Sequence, residues 1–241
     1  MIYRSHRGCL YYAPENTMPA FKMALELGFE QIETDPQLTK DGVVILMHDS
    51  AINRTCRNAD GSEIGEKIYP PQATYEELMQ YDAGIAKGEQ FRGTKIPTLD
   101  ELLTACEGKD VEIALDKKIK TENMDPLFDV VAKHNVRVSF SCADLERIKT
   151  VLKRFPDAYI CYDGEATDEM LSKVCELVRP ERLMVWMYLD KPNFHWLEAT
   201  RKCSTEKCER TKKYAKLGIA NVNNPYDLME AIAFDPDCVE M

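Results

Sequence analysis

The chain has 241 residues, enough for one large domain and close to what a barrel of about eight strand–helix units requires. Its composition, 44% hydrophobic and 30% charged, is that of an ordinary globular protein, and no stretch reaches the roughly 18 apolar residues of a membrane span. A formal net charge of −10 opposes nucleic-acid binding, since phosphate backbones are repelled by the surface as a whole, but leaves room for a small phosphate ester in a locally positive cleft.

Met1-Ile2-Tyr3 runs directly into a polar motif, without the charged, apolar and small-residue regions of an export signal. The nine scattered cysteines read as reduced thiols, so a cytoplasmic location is expected. Cys203 and Cys208 lie five apart, without the second pair or histidine couple that a structural zinc needs.

Along the chain, short apolar runs alternate with helical patterns, the grammar of repeated βα units. The first run, 2–4, leads into His6-Arg7-Gly8. Helical spacing then places Met18, Phe21, Ala24 and Leu25 on one face before Gly28 supplies a stop. Runs at 29–34 and 43–47 read as strands, and Thr39-Lys40-Asp41-Gly42 between them carries the Asp-Gly signal of a tight turn. A hairpin there conflicts with a strictly parallel barrel, and the pattern leaves open whether 43–47 is a barrel strand or an excursion. Residues 51–95, with glycines, adjacent prolines and mixed charge, show no clear strand. They are expected to form an inserted subdomain over the face where a barrel binds its ligands.

Beyond it, Thr98 and Glu101 form a capping box ahead of Leu99, Leu102, Leu103 and Cys106. Strands at 111–115 and 136–140 follow. Leu145, Ile148, Val151, Leu152 and Phe155 line a helix closed by Pro156, and Leu171, Val174, Cys175 and Val178 line another ahead of Pro180. Runs at 158–162, 183–188 and 218–222 bring the strands to eight. The expected architecture is a single α/β domain over 1–241, a TIM-type (β/α)8 barrel with a small insertion after the third strand.

The chemistry concentrates at strand ends. Glu33 and Asp35 are two apart, project from one side of a strand and offer oxygen ligands for a hard cation. If the hairpin turn centres on Lys40-Asp41, His48 faces Glu33; if on Asp41-Gly42, it faces Asp35. His6 ends the neighbouring first strand, so two of the four histidines converge on the carboxylates, whereas His134 and His195 lie in helical patterns and read as ordinary histidines. Arg7 offers a planar fork for a phosphate oxygen, and Gly8 a close backbone approach. Asp116 closes the fourth strand as a candidate third ligand, with Lys118 adding positive charge on the same side.

His6-Arg7-Gly8, Ala13-Pro14-Glu15-Asn16-Thr17, Ile32-Glu33-Thr34-Asp35, Thr39-Lys40-Asp41-Gly42 and His48-Asp49 with Arg54-Thr55 together resemble, in order and spacing, the N-terminal signature of glycerophosphodiester phosphodiesterases. The likeness continues through Asp82-Ala83-Gly84 and Ile96-Pro97-Thr98-Leu99, and more weakly through Ser141 and Trp186. It implies hydrolysis of a small-molecule glycerophosphodiester to an alcohol and glycerol 3-phosphate, with a divalent cation, Mg2+ or Ca2+. It implies that His6 and His48 are the acid–base pair, that Glu33 and Asp35, with Asp116, hold the metal, and that Arg7, Glu15 and Lys118 line the site around the phosphate. Two departures stand out. Asp116 stands where the family usually has glutamate, as in an Asp-x-Lys of the related sphingomyelinase D group, and the family's usual acidic C-terminal loop is replaced by Gly218-Ile219-Ala220 and Asn223-Asn224-Pro225. The alternatives these raise are a lysophospholipase D or sphingomyelinase D-like activity, or a barrel that binds a phosphorylated ligand without turnover.

Overall fold

A computed structural model describes residues 1–191 and 199–241, so the helical pattern around His195 lies outside the described residues. Ten strands form among them: β1 (Ile2–Ser5), β2 (Gln31–Thr34), β3 (Pro36–Leu38), β4 (Val44–Leu46), β5 (Glu112–Leu115), β6 (Arg137–Cys142), β7 (Tyr159–Tyr162), β8 (Leu183–Tyr188), β9 (Lys216–Ala220) and β10 (Cys238–Glu240). The helices are α1 (Met18–Glu26), α2 (Tyr75–Leu78), α3 (Leu99–Cys106), α4 (Asp125–Val131), α5 (Leu145–Arg154), α6 (Asp168–Leu177), α7 (Thr205–Lys212) and α8 (Pro225–Ile232). Eight strands follow one another in a closed barrel, β1-β10-β9-β8-β7-β6-β5-β2. This is the α/β barrel expected from the sequence. No helix among the described residues is long and apolar enough to cross a membrane.

Two strand assignments change. The run at 43–47 is not a barrel stave: β4 pairs antiparallel with β3, Pro36 opposite Leu46 and Leu38 opposite Val44, as a separate two-stranded sheet. The eighth stave is β10, which pairs parallel with both β1 and β9. Val44, Ile45 and Leu46 read as a barrel strand because all three are buried, but Ile45 packs with Met47, Ile52, Cys56, Leu78, Ala83 and Ile96 in a second apolar cluster. The hairpin and the segment at 51–95 therefore share a core, and both fall between the staves β2 and β5.

Residues Ser5–Arg137 make one compact unit, and Met1–Arg4 with Val138–Met241 another. In the first, β2 and β5 pair in parallel from Gln31 opposite Glu112 to Thr34 opposite Leu115. The capping box ahead of α3 forms as expected: Thr98 Oγ1 accepts the Glu101 N–H at 3.1 Å, and the Glu101 carboxylate accepts the Thr98 N–H at 2.7 Å. Leu99, Leu102, Leu103 and Cys106 are buried along one face of that helix. In the second unit, Arg4 is 3% exposed; its guanidinium lies 3.8 Å from the Trp186 ring centroid and donates to Cys161 Sγ at 3.0 Å. The same ring covers the backbone of Gly218, where a Cβ would lie 2.7 Å from it, so only glycine fits.

The turn after β1 depends on Gly8, whose φ is +74° and whose absent Cβ would lie 2.8 Å from the Ala20 carbonyl carbon. Backbone cannot yield as a flexible side chain can. Gly8→Ala is therefore expected to cost at least about 2 kcal/mol, from backbone strain and overpacking together. Urea unfolding measures this, and an unchanged midpoint would show that the turn tolerates a Cβ.

Candidate active site

The register of β2 and β5 sets the site. Thr34 lies opposite Leu115, so the next residues on each strand, Asp35 and Asp116, emerge side by side; the Asp116 N–H donates to the Thr34 carbonyl at 2.9 Å. Lys118 sits between their carboxylates, its Nζ 3.4 Å from Asp35 Oδ1 and 3.6 Å from Asp116 Oδ2.

The turn after β1 supplies the other side. The Arg7 N–H donates to Glu33 Oε2 at 3.0 Å, its Nη1 to Glu15 Oε1 at 2.9 Å, and its Nε lies 3.4 Å from Asp35 Oδ2. One arginine thus gathers three carboxylates. His6 Nε2 stands 4.0 Å from Glu33 Oε2. Asn16 completes the support of Asp35: its Nδ2 donates to Asp35 Oδ2 at 2.7 Å, while its Oδ1 accepts from Thr34 Oγ1 at 2.7 Å and from the Asp35 N–H at 3.2 Å.

His48 arrives from the hairpin, but in neither of the two expected registers. Pairing runs Pro36 to Leu46, and the Met47 N–H donates to the Asp35 carbonyl at 2.9 Å, so Met47 takes the place opposite Asp35. His48 is held instead by its neighbour, with Nδ1 2.7 Å from Asp49 Oδ1. Arg54 joins Asp49 to Glu15: its Nε donates to Asp49 Oδ2 at 2.5 Å, and Nη1 and Nη2 donate to the two oxygens of Glu15 at 2.9 and 2.7 Å. The ring therefore runs from His48 through Asp49, Arg54, Glu15 and Arg7 to Glu33, Asp35, Lys118 and Asp116. It contains every residue singled out from the sequence, with His6 at its edge. Asn16, Asp49 and Arg54 had been given no role. A carboxylate adjoining a candidate catalytic histidine is the signal that could have found Asp49, since such a group commonly fixes the imidazole's tautomer.

Burial separates the parts. The side chains of Asp35 and Glu33 are 2% and 8% exposed, whereas those of His6, His48 and Lys118 are 22%, 33% and 25% exposed and can meet a ligand. Burial alone would raise the Glu15 carboxyl, but the Arg54 and Arg7 guanidiniums hold it below its ordinary value. Burial opposes Asp116 in the same way, and Lys117, Lys118 and His48 outweigh it.

The Arg54 hydrogen bond holds the Asp49 carboxyl at about 2. This lies below the value of roughly 3.9 for an unfolded aspartate, so its contribution to stability is present above about pH 4 and is lost as pH falls through 2. Asp49→Asn is expected to flatten that part of the acid-unfolding curve followed by circular dichroism. An unchanged curve would remove Asp49 from the network.

The oxygen donors of Glu33, Asp35 and Asp116 are of the hard type that magnesium and calcium take. Among the described residues no three His, Cys, Asp or Glu side chains converge closely enough to ligate one ion. Arg7 and Lys118 balance the carboxylates, and Lys118 Nζ between Asp35 and Asp116 marks a point where this site accommodates positive charge.

Fold and site together define a class, an α/β barrel whose charged groups gather at the C-terminal ends of β1, β2 and β5. The model of the glycerophosphoryl diester phosphodiesterase family matches residues 6–174, and the chain belongs to that family. A glycerophosphodiester phosphodiesterase of Caldanaerobacter subterraneus subsp. tengcongensis is 42% identical over 114 residues, 47% of this chain and 44% of that protein. The chain spans about half the length of the curated relatives it matches. Among solved structures, an Oleispira antarctica phosphodiesterase in complex with the product sn-glycerol-3-phosphate superposes with a TM-score of 0.79 at 19% identity, covering 100% of this chain and 92% of that one. The glycerophosphodiester phosphodiesterase of Thermotoga maritima gives 0.69 at 25% identity, covering 100% and 93%.

Proposed function

We propose that the chain hydrolyses a glycerophosphodiester to an alcohol and sn-glycerol 3-phosphate, with His6 and His48 as the acid–base pair. The observation that carries this reading is the arrangement of two partly exposed histidines, each beside a carboxylate, around the cations Arg7 and Lys118. A phosphodiester resists attack because its anionic oxygens repel a nucleophile. Arg7 and Lys118 orient the ester and offset that charge. Asp49 engages Nδ1 of His48, which leaves Nε2 for proton transfer. One histidine takes the proton of the attacking hydroxyl and the other returns one to the leaving alkoxide, each step contributing ~10²–10⁴-fold. Glu33, Asp35 and Asp116 are the residues that would hold a divalent cation, drawing closer together around it than they stand here, and such an ion would add to the neutralisation of the phosphate charge. The test is choline release from glycerophosphocholine by the full chain, with lack of release from any glycerophosphodiester as the outcome that sinks the proposal.

Asp116 carries the family departure. Its carboxylate is one methylene shorter than glutamate's, and magnesium tolerates displaced geometry less well than calcium does. Asp116→Asn is expected to weaken metal affinity and turnover together, whereas Asp116→Glu stays active and shifts the preference between the two metals. Calorimetry alongside the choline assay checks both; full affinity and full turnover in Asp116→Asn would make Asp116 only a strand-end charge.

A second reading of the substrate, a diester with an apolar tail, is favoured by one feature. A cavity of about 220 Å³ is lined on one side by Leu10, Pro14, Ala83 and Ala86 and on the other by Glu15, Arg54, Thr55 and Lys87, and Tyr11 and Tyr12 nearby in sequence are 52% and 71% exposed. Faster turnover of lysophosphatidylcholine than of glycerophosphocholine would establish it.

A further inference from the structure

The nine cysteines stand as free thiols, and seven of them are buried. Burial pushes Cys56 up to about 12 and Cys106 up to about 11, which keeps both protonated and inert. Cys203 and Cys208 differ. Ser204 is the N-cap of α7: its backbone is extended, with φ −151°, and its Oγ accepts the Lys207 N–H at 3.3 Å. Cys203 therefore holds the position before the cap, and Cys208 the fourth position of the helix. Those two positions face each other at a capped helix start, where an apolar pair ordinarily meets and fixes the angle of entry.

Here both members are thiols, set at the two positions that a capped helix start brings together. The backbone enforces the encounter: the Cys203 N–H donates to the Tyr188 carbonyl at 2.8 Å, and the Cys208 N–H to the Ser204 carbonyl at 2.9 Å. Cys208 is 1% exposed and Cys203 is half-buried, so a reagent from solvent meets Cys203 first.

We infer that Cys203 and Cys208 form a dithiol–disulfide modification site, oxidised reversibly by a low-molecular-weight disulfide of the glutathione type. The two thiols titrate together, Cys208 below its ordinary value and Cys203 above it, so the first proton lost belongs to the pair and its charge is shared between the two sulfurs. In the singly ionised pair the proton passes to Cys208, and the Cys203 thiolate attacks one sulfur of glutathione disulfide. That S–S bond breaks, and one glutathione leaves as thiolate. Cys208 gives this thiolate its proton and attacks the Cys203 sulfur, expelling the second glutathione with the negative charge. Two electrons leave the protein, and one glutathione disulfide becomes two glutathiones.

The test uses the full chain, equilibrated in glutathione buffers of increasing oxidised fraction, alkylated and mapped by peptide mass spectrometry. The expected product is a Cys203–Cys208 crosslink lacking two hydrogens, reversed by dithiothreitol, with the other cysteines alkylated. In Cys208→Ser the glutathione adduct on Cys203 has no internal attacker and is expected to accumulate at least ~10-fold over wild type. Full alkylation of both residues in the most oxidising buffer overturns the inference, as does a stable adduct on Cys203 of the wild-type chain. Both of these outcomes are read on the wild-type chain and do not depend on whether the variant folds.

Discussion

Replacing either His6 or His48 by alanine is expected to lower turnover of glycerophosphocholine by at least about a hundredfold while leaving the unfolding midpoint nearly unchanged. The separation follows from where the rings sit. Both side chains are partly exposed, at 22% and 33%, so neither fills the core, and each has a carboxylate at its edge. Their removal leaves Glu33 still accepting the Arg7 N–H and Asp49 still paired with Arg54. Proton transfer is lost, but the network is not. Steady-state kinetics beside urea unfolding measures both quantities. An inactive and unfolded His6→Ala protein, or a fully active His48→Ala one, would return that histidine to a structural role.

Stripping divalent cations with a chelator is expected to reduce turnover by at least about a thousandfold, some 4 kcal/mol of lost charge stabilisation, with recovery on adding magnesium or calcium. Asp35→Asn is expected to block that recovery, because it removes the buried carboxylate that also anchors Arg7, Lys118 and Asn16. Undiminished turnover after exhaustive chelation, verified by elemental analysis, would leave Arg7 and Lys118 as the sole counter-charges to the phosphate. That outcome would separate the metal from the histidines, since the acid–base pair could stand without it.

The sequence carried most of the site because its residues cluster in short motifs at strand ends, where backbone direction alone predicts company. Glu33 and Asp35 are two apart on one strand, and Lys118 is two beyond Asp116, so each pair shares a side whatever the register. His48 was harder. A register shift of one residue decides what a hairpin side chain faces, and the Thr39 turn sets it locally, through Val43 N–H donating to Thr39 Oγ1 at 2.9 Å. Arg54 was beyond reach because its partners, Glu15 and Asp49, come from different loops. In the fold, β10 escaped notice because Cys238-Val239-Glu240 is too short and mixed to read as an apolar run, although all three residues are buried. The run at 43–47 misled for the opposite reason, since burial in a second cluster leaves the same apolar pattern as burial in a barrel wall.

The proposed reaction is read out by phosphorus NMR of glycerophosphocholine incubated with the full chain and magnesium or calcium. The diester resonance is expected to decline as that of sn-glycerol 3-phosphate grows in equal amount, and to persist unchanged with a His6→Ala/His48→Ala double variant that remains folded. A diester signal that survives with wild-type protein in magnesium, calcium and manganese alike, or conversion by the double variant at the wild-type rate, would contradict the assignment of this site.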